Sequence, residues 1–276
     1  MLPINKISIS YFKDNVHDIE YGYLFFESVI KYFTDEHLVF LVFYVFAMFL
    51  FLYKAINNTG LYRNIQLLIF YSFIFLEYIF SVHRQGVAMC IIYYAITLIH
   101  EDKLFRYTLL VILASLFNKI AIILIPLYFF IRKEFKVSVL FYMVVIALFI
   151  SSFDLIGIVI KWCNENFSNV AVFRRVFHYY FNKHDANLKM SAIPYMQRAI
   201  MLFILFLFYK RIPYTYSNLL LLYVSLFFIF SNVGVLANRV SGILLVSYAI
   251  FFSVLICNLK FKRDRLLIIL YMFFLT

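Results

Sequence analysis

Apolar residues fill most of the chain in runs that short polar segments interrupt, and apolar and polar positions do not alternate along these runs. A helix needs about 20 residues to cross the hydrocarbon core of a bilayer, whereas the strands of a membrane barrel alternate with period two. The pattern therefore predicts an all-α, polytopic membrane helix bundle with about nine or ten spans or half-spans. The apolar runs are 37–53, 64–82, 87–99, 107–117, 119–131, 137–153, 197–209, 217–231, 241–258 and 266–276.

The longest polar stretches lie at residues 1–36 and 154–196, outside the apolar runs. We expect a single membrane domain over residues 1–276, with 1–36 as an outer N-terminal segment and 154–196 as an outer loop. Within that loop, segment 172–181 places aromatic and basic side chains on different helical faces, which is typical of an amphipathic helix on a membrane surface. The pattern is compatible both with a purely interfacial anchor and with a helix that contacts substrate.

Composition and charge narrow the function classes. Hydrophobic residues make up 65% of the sequence, with 36 Phe and 23 Tyr, which is more than a soluble core of this length could bury. The net charge of +11 would suggest nucleic acid in a soluble protein, but here the basic residues lie between apolar runs, as orientation signals do. We therefore expect no nucleic-acid partner. The three cysteines are scattered and show no spacing of a disulfide framework or a zinc site.

The region 107–131 is open to two interpretations, because Asn118 and Lys119 interrupt it. As one long helix it would hold a lysine near the bilayer centre, at a cost of about 2.5 kcal/mol or more. Two short helices that meet at an outer tip avoid that cost and place every short basic loop on the cytoplasmic side. We therefore predict the break. The basic residues of those inner loops are Lys54, Arg63, Lys103, Arg106, Arg132, Lys133, Lys136, Lys210, Arg211, Lys260, Lys262, Arg263 and Arg265.

The same topology brings polar residues together on the outer face. Arg84 and Gln85 lie between two apolar runs, and Asn238 and Arg239 precede a later run. A guanidinium is costly to desolvate and binds phosphate through a two-pronged fork, so Arg84 is a candidate anion site with a lipid pyrophosphate as its partner. The alternative is an arginine that extends to the lipid headgroups.

Glycosyl transfer from a polyprenyl pyrophosphate needs stabilisation of the leaving pyrophosphate and removal of a proton from the attacking hydroxyl. Arginines can supply the first. Asp18 and Glu20 are the candidate bases, and a solvated surface charge is the other interpretation of either carboxylate. His83 and His178 have no second metal ligand at a suitable spacing, and the sequence contains neither a P-loop nor a Gly-x-Ser-x-Gly elbow. We expect neither a metal site nor a cofactor.

Four short motifs, in this order, resemble the EpsG-like family of membrane glycan polymerases, which are related in role to the Wzy-type O-antigen and capsule polymerases. Residues 20–23 (EYGY) resemble the family's acidic-x-Gly-Tyr segment, and residues 84–85 (RQ) resemble its Arg-Gln motif. Residues 117–121 (FNKIA) resemble its Phe-His-x-Ser-Ala motif, with asparagine in place of histidine, which favours hydrogen bonding over proton transfer there. Arg239, with Tyr248 downstream, resembles its C-terminal arginine. Relative to that family the chain is short at both ends, so a divergent and a truncated member are both open.

The resemblance implies a bundle of the membrane glycosyltransferase (GT-C-like) type, with its active site facing the outer side of a bacterial inner membrane. It implies a metal-independent polymerase that joins undecaprenyl-pyrophosphate-linked oligosaccharide repeat units into O-antigen, capsule or exopolysaccharide. Arg84 and Arg239 would bind the donor pyrophosphate, and Asp18 or Glu20 would activate the acceptor hydroxyl. The expected substrate-binding residues are Gln85, Asn118, Lys119, Arg174, Arg175, His178, Tyr21, Tyr23, Tyr179 and Asn238.

The resemblance also implies membrane lipid as a partner, together with a chain-length regulator and a flippase. Two other functions are open. A flippase for lipid-linked oligosaccharides would need similar anion and sugar contacts, but such transporters are usually longer and show internal repeats. A membrane acyltransferase that modifies the glycan would need a histidine-centred base. The sequence shows no repeat, and neither His83 nor His178 has such a setting, so we favour the polymerase.

Overall fold

The computed structural model describes residues 20–59, 63–75, 78, 83–167, 177, 181, 191–259 and 261–273. The described residues form helices and contain no strand, which confirms the predicted helical membrane bundle. The chain divides into two compact units, Met1–Phe130 and Ile131–Leu275. The single membrane domain stays a prediction, because two compact units can belong to one domain.

The first unit has its core around a central buried helix. Its helices are α1 (Tyr21–Phe33), α2 (His37–Thr59), α3 (Arg63–Phe70), α4 (His83–Thr97), α5 (Leu104–Ser115) and the start of α6 (Leu124–Arg132). A π-helical turn follows α3, and 3₁₀ turns follow α4 and precede α6. Helix α4 packs against α2 and α5. Nearly every side chain from Val87 to Ile99 is buried, because α4 is apolar on all sides and touches neighbours on more than one face.

Gly86 allows α2 to approach the first turn of α4. A Cβ atom added there would lie 3.0 Å from Met48 Cε and 3.2 Å from Tyr78 Cβ. A larger residue at this position would push these neighbours away. The close contact fixes the first turn of α4, which carries Arg84, against α2.

The second unit is built around α10. Its helices are α7 (Val137–Ser152), α8 (Leu155–Asn166), α9 (Ala192–Phe208), α10 (Tyr214–Ile229), α11 (Gly234–Gly242), α12 (Val246–Asn258) and α13 (Lys262–Phe273). Helix α10 packs against α7, α11 and α12. The buried amide of Asn218 donates hydrogen bonds to the backbone oxygens of Ile131 (3.1 Å) and Lys133 (2.8 Å). This polar contact holds the C-terminal end of α6 against α10.

Among the described helices, His37–Thr59 and the stretch Ala192–Arg211 are each long and apolar enough to cross a membrane. Two further pairs reach that length only together. Val137–Ser152 and Leu155–Asn166 meet at 58°, and Leu236–Gly242 and Val246–Asn258 meet at 57°. Counting each bent pair as one span raises the number to four.

The first bend is explained by the backbone at Asp154. Its φ of 47° lies in the left-handed region, which aspartate tolerates better than most residues. The amide of Asn232 donates to Asp154 Oδ1 (3.0 Å) and to the Ser151 carbonyl (2.8 Å). These bonds satisfy polar groups that the interrupted helix leaves without an internal partner.

The structure confirms the predicted break at Asn118, shows helices within the two long polar stretches and shows a bend in one predicted run. Asn118 begins a 3₁₀ turn after α5, and its Oδ1 accepts a hydrogen bond from the Ile120 N–H (3.2 Å). The expected N-terminal segment contains α1, whose buried Leu24 and Ile30 pack one face of a short helix. The expected outer loop contains α8 and the start of α9, and the run 241–258 is bent rather than continuous.

Candidate functional site

Arg84 and Glu20 form an ion pair in the first unit. Arg84 Nη1 donates to Glu20 Oε2 at 2.5 Å. The Glu20 side chain is 17% exposed and the Arg84 side chain 41% exposed, so the carboxylate is the more enclosed partner. Arg84 lies in the first turn of α4, where the helix dipole adds partial positive charge. The pair therefore leaves an accessible cationic face beside a largely buried carboxylate.

Gly22 explains how the start of α1 is held in place. Its N–H donates to the Leu116 carbonyl at 2.9 Å, and an added Cβ would lie only 2.7 Å from Leu116 Cβ. Only glycine fits this contact without a shift of the backbone. The start of α1 is thus tied to the turn that ends at Asn118, while Glu20 reaches Arg84.

Tyr23 lies beside the ion pair and lines one wall of an adjacent cavity. The Arg84 Cζ atom is 5.5 Å from the centre of the Tyr23 ring, within the range of a cation–π contact. The ring also packs edge to face on Phe40 (6.0 Å) and Tyr44 (5.8 Å). Burial raises the pKa of Tyr23, the charge of Glu27 raises it further, and Arg84 opposes the change. Tyr23 is therefore a neutral hydroxyl near pH 7.

The cavity beside Tyr23 has a volume of about 250 Å³ and lies between the C-terminal half of α1 and the start of α2. Its lining combines three carboxylates, a lysine, a histidine and two aromatic rings. Glu27 Oε1 lies 3.7 Å from Lys31 Nζ, and the Glu27 side chain is only 17% exposed. The lining residues are Tyr23, Glu27, Ile30, Lys31, Thr34, Asp35, Glu36, His37 and Phe40.

The remaining predicted residues of the first unit have different environments. Gln85 is buried in α4, and Asn118 is buried and caps the 3₁₀ turn. Lys119 is exposed at the start of that turn, and Tyr21 is exposed on α1. Glu20, Arg84 and Tyr23 are thus the predicted site residues that the described contacts bring together.

The other predicted residues belong to the second unit or lie outside the described residues. Asn238 and Arg239 belong to the second unit, where both are exposed on α11 before the bend into α12. Five predicted positions lie outside the described residues: Asp18, Arg174, Arg175, His178 and Tyr179.

Two residues of functional interest were missed by the sequence reasoning. Glu27 was overlooked because residues 21–33 were not recognised as a helix; it lies within α1 and lines the cavity beside Tyr23. Arg198 was missed because the predicted apolar run begins at residue 197, which leaves the arginine at the edge of the run. An extension of that run to Ala192 would have shown an arginine inside a spanning helix.

Within the part of the chain that the structure describes, no three His, Cys, Asp or Glu side chains are arranged to hold a metal ion.

A comparison with protein-family models matches the EpsG family over residues 4–276. The match covers nearly the whole chain, so the chain belongs to the EpsG family. Neither the curated proteins nor the solved structures compared with the chain gave a match.

Proposed function

We propose that this member of the EpsG family polymerises polysaccharide by joining undecaprenyl-pyrophosphate-linked repeat units at the outer face of a bacterial inner membrane. Membership of the family supports a general role in polysaccharide polymerisation of the glycosyltransferase type. The observation that carries the finer proposal is the accessible Arg84–Glu20 pair beside a cavity lined by carboxylates and aromatic rings. The two features supply the chemistry that the two halves of the transfer require.

Arg84 binds the donor pyrophosphate in this proposal. A guanidinium carries five N–H donors, and among the described residues Arg84 donates only from Nη1, to Glu20. The remaining N–H donors of the guanidinium are therefore available to phosphate oxygens. Glu20 holds the guanidinium in one orientation, so little side-chain entropy is lost when the anion binds.

The cavity binds a sugar of the acceptor unit. Carboxylates accept hydrogen bonds from sugar hydroxyls, and the faces of Tyr23 and Phe40 offer apolar surface to the ring. Its volume of about 250 Å³ falls just below the range of about 300–1,000 Å³ for drug-sized ligands, so it suits roughly one ring. Tyr23 lines the cavity and its ring centre also lies 5.5 Å from the Arg84 Cζ atom, which supports a sugar bound near the anion site.

We assign the general base to Glu27. The carboxylate of Glu20 is held by Arg84 at 2.5 Å, which favours a positioning role for Glu20. Glu27 has a longer ion pair, 3.7 Å from Lys31, and lines the cavity. In the reaction, Glu27 takes the proton of the acceptor hydroxyl as its oxygen attacks the anomeric carbon of the donor sugar. The bond between that carbon and the pyrophosphate oxygen breaks, and its electron pair leaves with undecaprenyl pyrophosphate. Arg84 neutralises the charge that develops on this leaving group.

Deletion of the gene tests the function. In a strain that lacks the protein, assembly and flipping of repeat units continue while chain growth stops, so the surface glycan should carry one repeat unit. Gel analysis of the extracted glycan measures this. A flippase defect would instead trap units on the cytoplasmic leaflet, and an acyltransferase defect would leave long chains without a substituent. Polymer of normal length in the deletion strain would overturn the proposal.

A further inference from the structure

Arg198 lies inside a helix that can cross the membrane. It follows Ala192 by six residues, so it lies about 9 Å along the axis of α9, on the side that our topology places outside. The residue is half-buried. A guanidinium at such a depth is costly, and such residues mark sites where a counter-charge is bound.

The described partners of Arg198 are all neutral. Nη2 donates to the Tyr223 hydroxyl at 2.9 Å, and Nη1 donates to the Pro194 carbonyl (3.3 Å) and to Gln197 Oε1 (3.2 Å). The Cζ atom lies 4.1 Å from the centre of the Phe227 ring, which adds a cation–π contact. These groups fix the orientation of the guanidinium, but they do not cancel its charge.

One donor of this guanidinium is buried without an acceptor. The Nε atom of Arg198 is inaccessible and makes no hydrogen bond to the described residues. The ion pairs among those residues join Glu20 to Arg84, Glu27 to Lys31 and Glu101 to Lys103, so no described carboxylate neutralises Arg198. A half-buried guanidinium that no described carboxylate neutralises is stabilised when an anion binds beside it.

We propose that Arg198 and Tyr223 form a binding site for the phosphate group of a membrane lipid. Phosphate is the anion that membrane lipids carry, and its oxygens accept charge-assisted hydrogen bonds from a guanidinium. The chain can meet that chemistry in two forms, a phospholipid headgroup and the pyrophosphate of a polyprenyl-linked glycan. The second form rests on the proposed function, whereas the first does not.

Binding of two phosphate-bearing probes to purified, delipidated protein in neutral detergent tests the site. The probes are phosphatidylglycerol and farnesyl pyrophosphate, and diacylglycerol is the uncharged control. We expect native mass spectrometry to show adducts of the phosphate-bearing probes and few of diacylglycerol. Arg198→Gln should weaken adduct formation about tenfold or more, since a charge-assisted hydrogen-bond pair is lost. Arg198→Lys should lie between the two, because it keeps the charge and loses the fork.

Arg211→Gln is the matched control, because Arg211 follows the same helix, is exposed and also lies over an aromatic ring, that of Phe208. It should bind both probes as the parent does. Competition between the probes identifies the source: farnesyl pyrophosphate retained in excess phosphatidylglycerol indicates the polyprenyl substrate, and its displacement indicates a headgroup. Thermal unfolding checks that each variant is folded.

The proposal is overturned if folded Arg198→Gln binds both probes as tightly as the parent. It is equally overturned if Arg211→Gln loses as much binding as Arg198→Gln, because the probes would then bind through general electrostatic attraction to basic residues. If Arg198→Gln does not fold, Arg198→Lys provides the test. Binding of both probes by Arg198→Lys as tight as that of the parent protein would overturn the proposal that the guanidinium binds the phosphate. Failure of the polymerase assignment is separate, since it is measured as glycan length in the deletion strain.

Discussion

Arg84 and Glu20 meet at 2.5 Å although 64 residues separate them along the chain. The contact joins the residue that precedes α1 to the first turn of α4, and the close packing of Gly22 on Leu116 and of Gly86 on Met48 holds both elements. An arginine that merely extended to lipid headgroups would not need a largely enclosed carboxylate at its side. The pairing therefore favours a functional role for Arg84 over a simple extension to the lipid headgroups. Substitution of Arg84 tests this.

Replacement of Arg84 by lysine should reduce polymer formation nearly as much as replacement by alanine. A lysine keeps the charge but offers no planar fork, and each charge-assisted hydrogen bond contributes roughly 1.5–3 kcal/mol, so we expect a loss of about tenfold or more. Glycan length and yield in the complemented deletion strain measure it, with immunoblotting to verify expression. Arg106→Lys is the control, because Arg106 is an exposed arginine on α5. Full polymer from Arg84→Ala would refute the anion role.

Gly22→Ala should destabilise the first unit. The added methyl group would lie 2.7 Å from Leu116 Cβ, and overpacking of this kind costs about 1–3 kcal/mol. Thermal unfolding of the purified protein, followed by circular dichroism, should show a lower midpoint. Phe25→Ala on the same helix is the comparison, because Phe25 is 60% exposed and should change stability little. An unchanged midpoint for Gly22→Ala would show that the contact relaxes without cost.

The sequence predicted the features that follow from the cost of burying charge in a bilayer. It did not predict the features that depend on tertiary packing. The break at Asn118 was predictable because a lysine inside hydrocarbon is costly, and Arg84 stood out for the same reason. Helix α1 was hidden because it is short and mixed in polarity, so its helical state depends on contacts such as that of Gly22 with Leu116. The choice of Glu20 as the partner of Arg84 is likewise a tertiary contact, which no local pattern encodes.

The predicted topology places Lys119 on the outer side and the segments 55–62 and 258–265 in the cytoplasm. We expect a cysteine at position 119 to react with a membrane-impermeant maleimide in intact cells, because the positive-inside rule requires this orientation once the chain breaks at Asn118. Single cysteines at Asn57 and Arg263 should react only after permeabilisation. The three native cysteines are first replaced by serine. Labelling of residue 119 only in permeabilised cells would reverse the orientation.

Polymerisation by the purified protein should need neither a nucleotide sugar nor a divalent cation. In the proposed reaction, the polyprenyl pyrophosphate bond supplies the energy, and Arg84 supplies the positive charge that stabilises the leaving group. Lipid-linked repeat units incubated with the protein and a chelator should therefore lengthen at the same rate as without the chelator. Loss of product in chelator, with recovery on addition of Mg²⁺, would instead assign the charge stabilisation to a metal ion.

Glu27→Gln should slow chain growth strongly while the acceptor unit still binds. The amide keeps the size and the hydrogen-bonding capacity of the side chain but cannot accept the hydroxyl proton, and removal of a general base typically lowers the rate by about 10²–10⁴-fold. Rates and acceptor saturation measured with purified protein should show a fall in kcat at a nearly constant KM. Glu101→Gln is the control, because Glu101 is exposed in the same unit and pairs with Lys103. A parental rate for Glu27→Gln, together with an inactive Glu20→Gln, would return the base to Glu20. Glu20 would then take the proton through Oε1, or the ion pair with Arg84 would open during the reaction, because the guanidinium holds Oε2.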